Sequence, residues 1–117
     1  MHSATILCAD DEPAVLLTTE QILQREGYRV SVAATAGSAF CLLREKRFDL
    51  ILLDCIAGHE YLIQEAKRAD PEVRVAIFTG NLGLIHFPLA DIVLHKPLPP
   101  PELLKTIAKL LHVSKAA

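Results

Sequence analysis

Two spacings of apolar residues alternate along the chain. Thr5-Ile6-Leu7-Cys8-Ala9 is a short apolar run that stops at Asp10-Asp11, and from Glu12-Pro13 onward Val15, Leu16, Ile22 and Leu23 recur at helical spacing with Thr19 among them. This predicts a strand followed by an amphipathic helix. Asp11 is the expected cap of that helix, with Pro13 in its first turn and Gly27 at its end. A second strand is predicted over Tyr28 to Ala33, and a second helix over Gly37 to Lys46 with Phe40 and Leu43 facing inward. Asp49 to Leu53 reads as a strand buried on both faces, and Gly58 to Arg68 as a helix stopped by Asp70-Pro71. Arg74 to Phe78 is a fourth strand leading into Thr79-Gly80, and Ala90 to Leu94 a fifth, closed by His95-Lys96-Pro97. Leu103, Leu104, Ile107, Leu110 and Leu111 mark a final helix, entered through Pro99-Pro100-Pro101.

Apolar strands with little polar alternation, joined by helices, indicate a parallel sheet covered on both sides. The fold class expected is α/β, three-layered and five-stranded. The chain has 117 residues, enough for one compact domain spanning residues 1–117 that buries roughly two-thirds of its unfolded surface. Its formal net charge of -2, with mixed signs, offers no basic stripe, so direct binding to nucleic acid is not expected. No apolar run reaches the roughly 18 residues of a membrane span, and the acidic pair near the start of MHSATILCADD falls where a signal peptide would carry its apolar stretch. A cytoplasmic location without membrane association follows as the expectation. Cys8, Cys41 and Cys55 lack paired spacing and read as reduced thiols. His2, His59, His86, His95 and His112 are scattered, so a soft-metal site is not expected.

Ligands of such sheets bind outside the carboxyl ends of the strands. The residues just past each run are Asp10 and Asp11, then Asp54, Thr79 and Lys96. If the first strand lies between the second and third, these side chains meet on one rim. Three carboxylates there repel one another unless a cation is present, and a hard, oxygen-seeking divalent ion such as magnesium, with Lys96, balances them. Such a near-neutral site can accept a phosphoryl group. Taken singly, each of these residues is more simply a solvated cap or loop residue; their joint placement carries the signal.

The pieces ILCADDEP, FDLILLD, VAIFTG and HKP, which extend over nearly the whole chain, resemble the receiver domain of bacterial two-component response regulators. The resemblance implies a doubly wound sheet of order 2-1-3-4-5 and transfer of a phosphoryl group from a histidine kinase or histidine phosphotransfer protein to an aspartate. It implies Asp54 as phospho-acceptor, Asp10 and Asp11 as magnesium-binding acids, Thr79 as the hydroxyl contacting the phosphoryl group and Lys96 as its partner. The backbone carbonyl of Ile56 would be a further metal ligand. Output would be contact with a downstream protein target or self-association into a homodimer, and the chain would not be a turnover enzyme.

The sequence departs from the family in two places. The Met-Pro-containing loop after the acceptor is absent, leaving a connection about four residues shorter than usual between Asp54 and Gly58. The aromatic residue common three positions before the lysine is Val93. Residues 80–95 must also hold the fifth strand, so a fourth helix there can make at most about two turns and is expected to be short or missing, with Leu84, Ile85 and Phe87 forming a thin apolar cover. The favoured reading is a phospho-accepting receiver without an attached output domain. A degenerate receiver acting as a phosphorylation-independent interaction module is the alternative, and a magnesium phosphohydrolase is weaker because no second catalytic acid lies two residues after Asp54.

Overall fold

The computed structural model describes residues 4–54, 59–80 and 89–112. In chain order the elements are β1 (Thr5–Ala9), α1 (Pro13–Arg25), β2 (Arg29–Ala33), α2 (Ala36–Glu45), β3 (Leu50–Leu53), α3 (His59–Ala69), β4 (Arg74–Thr79), β5 (Ile92–His95) and α4 (Pro100–His112). All strand pairs are parallel, and the sheet order is β2-β1-β3-β4-β5. The doubly wound α/β arrangement read from the sequence is therefore the one observed. Residues 81–88, where a short or absent helix is expected, lie outside the described residues, as do Leu84, Ile85 and Phe87.

Strand pleating sorts the apolar runs into two cores. Leu7 and Ala9, Ile51 and Leu53, and Val75 and Ile77 face one side, where Ala39 of α2 and Leu62, Ile63 and Ala66 of α3 cover them. Ile6 and Cys8, Leu50 and Leu52, and Ala76 and Phe78 face the other, under Leu23 of α1 and Leu103 and Ile107 of α4. The interior positions of β1, β3 and β4 are thus apolar because both faces of these strands are buried. The edge strands β2 and β5 are only partly buried.

The helix ends differ from the expectation in one respect. Asp11 does not cap α1: the cap position is Glu12, without a side-chain cap bond, and the Glu12 N–H donates instead to Asp10 Oδ1 at 2.9 Å. Asp11 is drawn into an acidic cluster described below. Gly27 does end the helix region, with φ of 99° in the left-handed range that glycine tolerates, and its N–H donates to the Gln24 carbonyl at 3.0 Å. At α2 the cap is Thr35, whose hydroxyl accepts from the Ser38 N–H at 3.1 Å.

The β5 edge is fastened by Asp91. Its Oδ2 accepts from the Val75 N–H at 2.7 Å and from Lys67 Nζ of α3 at 3.0 Å, and Arg74 Nη1 lies 3.7 Å from Oδ1. A side chain thus occupies the first rung of the β4–β5 ladder, which is why strand pairing starts at Ala76 with Ile92 rather than at Ala90.

The cysteines are unpaired, as expected, where they are described. Cys8 is buried and Cys41 exposed; Cys55 lies outside the described residues. Burial, then the charges of Glu20 and Asp10, push the Cys8 thiol from 9.0 up to about 12. The folded state therefore holds that proton more tightly than the unfolded chain does. Its contribution to stability is complete below pH 9 and declines as pH rises towards 12, by at most about 1.4 kcal/mol per pH unit. Iodoacetamide is expected to modify Cys41 in the native protein at pH 8 and Cys8 only after denaturation, read by peptide mass. Equal labelling of both in the native protein would contradict the burial of Cys8.

Candidate functional site

Register alone brings the polar residues together. Ala9 pairs with both Ala33 and Leu53, so Asp10 and Asp54 emerge side by side; the Asp54 N–H donates to the Ala9 carbonyl at 2.9 Å. Thr79 pairs with His95 at the end of the β4–β5 ladder, and the Lys96 N–H donates to the Thr79 carbonyl at 2.8 Å. Lys96 thereby leaves the sheet next to Thr79. The Lys96–Pro97 peptide that follows is cis.

The Lys96 ammonium spans the rim. Its Nζ donates to Asp10 Oδ2 at 2.8 Å and to Asp54 Oδ2 at 3.4 Å, and the three side chains retain 15%, 8% and 14% of their exposure. Burial pulls the Lys96 value down, but the hydrogen bond and charge of Asp10, followed by the charge and hydrogen bond of Asp54, outweigh it and hold the ammonium above the ordinary lysine value of 10.5. Lys96 is therefore charged throughout the neutral range. Its Nζ also lies 5.2 Å from the centroid of the Phe78 ring.

Carboxylate oxygens of Asp10, Asp11, Glu12 and Asp54 lie within 4.8 Å of one another. An all-oxygen set of this kind, buried at Asp10 and open to solvent at Asp11 and Glu12, suits a hard divalent ion that keeps part of its water shell. Asp10, Asp11 and Asp54 thus assemble as the sequence implies. Thr79 is buried at the same rim, while Ile56 lies outside the described residues. Two residues were missed by sequence reasoning. Glu12 adds a fourth carboxylate, and the three consecutive acids at the end of β1 are the sequence signal for it. Its exposure leaves its charge largely screened by solvent. Phe78 gave a weaker signal, an aromatic ring immediately before the rim threonine. His95, beside Lys96, is exposed.

A doubly wound parallel sheet with acids, a threonine and a lysine at its carboxyl rim places charged and hydroxyl groups where ligands of such sheets bind. Comparison with known proteins gives the family. The profile of the response regulator receiver domain matches residues 6–108, and the chain belongs to that family. It is 34% identical to the alginate biosynthesis transcriptional regulatory protein AlgB of Pseudomonas putida, over 96% of this chain and 27% of that protein. It is 30% identical to the response regulator receiver protein CpdR of Brucella abortus, over 91% of this chain and 95% of that protein. A crystal structure of a CheY-like receiver domain protein from Methanospirillum hungatei superposes with a TM-score of 0.85 at 33% identity, covering 94% of each chain. The chain spans about a quarter of the length of the alginate regulators it matches. Receiver domains are signalling modules of two-component systems and bind magnesium at an acidic pocket. Among the described residues no helix is long and apolar enough to cross a membrane.

Proposed function

We propose that this receiver takes a phosphoryl group onto Asp54 from a histidine kinase or histidine phosphotransfer protein, with magnesium held by Asp10, Asp11 and Asp54, and signals by contact with a downstream protein in the cytoplasm. The observation that carries the reading is the Lys96 ammonium placed between Asp10 and Asp54. An Asp54 oxygen attacks the phosphorus of the donor phosphoramidate or acyl phosphate, the P–N or P–O bond breaks, and the electron pair leaves with the donor. When bound, magnesium supplies positive charge that neutralises the carboxylates and the phosphoryl oxygens. Lys96 moves from the carboxylates to a phosphoryl oxygen, a step its flexible four-carbon stem permits. The buried Thr79 hydroxyl, one position beyond Phe78, contacts another phosphoryl oxygen.

Incubation with magnesium and acetyl phosphate is expected to add the mass of one phosphoryl group to the intact protein, and chelation of magnesium is expected to prevent it. No mass gain with acetyl phosphate or a phosphorylated histidine donor, in a protein shown to bind magnesium, would favour the phosphorylation-independent interaction module.

A further inference from the structure

We propose that Phe78 is a positioning residue whose ring face holds the Lys96 ammonium at the junction of Asp10 and Asp54; its catalytic consequence rests on the phospho-accepting reading above. Lys96 Nζ sits 5.2 Å from the ring centroid, inside the reach of about 6 Å over which an aromatic face attracts a cation. The two carboxylate contacts are unequal, 2.8 Å to Asp10 and 3.4 Å to Asp54. A long lysine side chain drawn by such a pair would close on the nearer carboxylate and turn away from the acceptor. The ring supplies a third attraction that is fixed in place.

Its fixity comes from packing. Phe78 is buried within the core beneath α1 and α4, among Ile6, Leu23, Leu50, Leu52 and Ile107. Every other buried side chain described in that core is aliphatic or a cysteine, so packing there does not demand an aromatic ring. The ring also lines two neighbouring spaces, a small cavity shared with Asp10 and Asp54 and a groove shared with Lys96, Pro97 and Leu98. It therefore borders both the acidic rim and the lysine. Aliphatic side chains of similar volume would fill the core and leave the ammonium without that attraction. Among the described residues, the ring that approaches Lys96 is Phe78, and it does so from β4.

The test has two arms, both on the full chain. In metal-free, phosphate-free protein, the Lys96 ε-methylene proton resonances are expected upfield of those of Lys105 and Lys109, which are exposed on α4. Coincident resonances would overturn the proposal whether or not the protein can be phosphorylated. In the second arm, phenylalanines carrying one, two and three ring fluorines replace Phe78, weakening the negative ring face with little change of shape. The rate of phosphorylation by acetyl phosphate is expected to fall stepwise, by about two- to fivefold for the trifluoro ring, at unchanged melting temperature. A flat series in a protein that does phosphorylate would overturn the proposal. If the unmodified protein accepts no phosphoryl group, the functional reading fails, and the resonance comparison alone decides whether Phe78 positions Lys96.

Discussion

Replacing Lys96 with alanine is expected to slow phosphorylation of Asp54 by about 10²- to 10³-fold, the cost of removing one preorganised charge from a site where negative charge gathers. The ammonium touches both Asp10 and Asp54 and is held protonated by them, so its charge is present before any donor arrives. Lys96→Arg is not expected to restore the rate. A planar guanidinium fitted to bidentate contacts cannot shift between two carboxylates and a phosphoryl oxygen as a compact ammonium does. In the absence of metal, Lys96→Ala also leaves Asp10 and Asp54 facing each other without a counterion, and its melting temperature should fall; magnesium should recover part of that loss. Because the folded-state value of Lys96 is raised, the stability it contributes is complete below pH 10.5 and disappears as pH climbs through the raised value. Rates from phosphate-affinity gels and melting curves with and without magnesium check both statements. A Lys96→Ala protein phosphorylated at the wild-type rate would place the essential charge elsewhere.

The second large effect is on stability. Ile107→Ala is expected to lower the unfolding free energy by about 2–5 kcal/mol, because the side chain is fully buried where α4 closes the core over Leu50 and Ala76. That is a large fraction of the roughly 5–15 kcal/mol available to a small domain. Leu17→Ala removes a similar side chain from α1, but Leu17 is 55% exposed and its loss should change stability by no more than about 0.5 kcal/mol. Urea denaturation separates the two. Equal midpoints would mean that α4 does not pack on the sheet as described.

Much of this arrangement was legible in the residues. The both-face apolar runs of β1, β3 and β4 define a covered parallel sheet, and the polar residue after each run marks one rim. The meeting of Asp10, Asp54 and Lys96 then follows from strand order, which periodicity leaves open and the family resemblance supplied. What escaped the sequence depended on side-chain competition. Asp11 has the chemistry of a helix cap, yet it joins the carboxylate cluster, and Asp10 takes the Glu12 N–H instead. The start of β5 shifted because the Asp91 carboxylate occupies the Val75 N–H that a strand beginning at Ala90 would need. Phe78 read as one more apolar residue of β4, since nothing in a period-two pattern distinguishes a ring that packs from a ring that also faces a cation. The expectations for Ile56 and for the segment before β5 concern residues 55–58 and 81–88, which lie outside the described residues.

Localisation of the phosphoryl group tests most directly whether Asp54 is the phospho-acceptor. After incubation with magnesium and acetyl phosphate, borohydride reduction converts an aspartyl phosphate to homoserine, and peptide mass spectrometry reports where. Homoserine is expected at position 54 alone, with no adduct on Asp54→Ala protein. Homoserine at Asp10, Asp11 or another acid with Asp54 unmodified, or an undiminished adduct on the Asp54→Ala protein, would contradict that role.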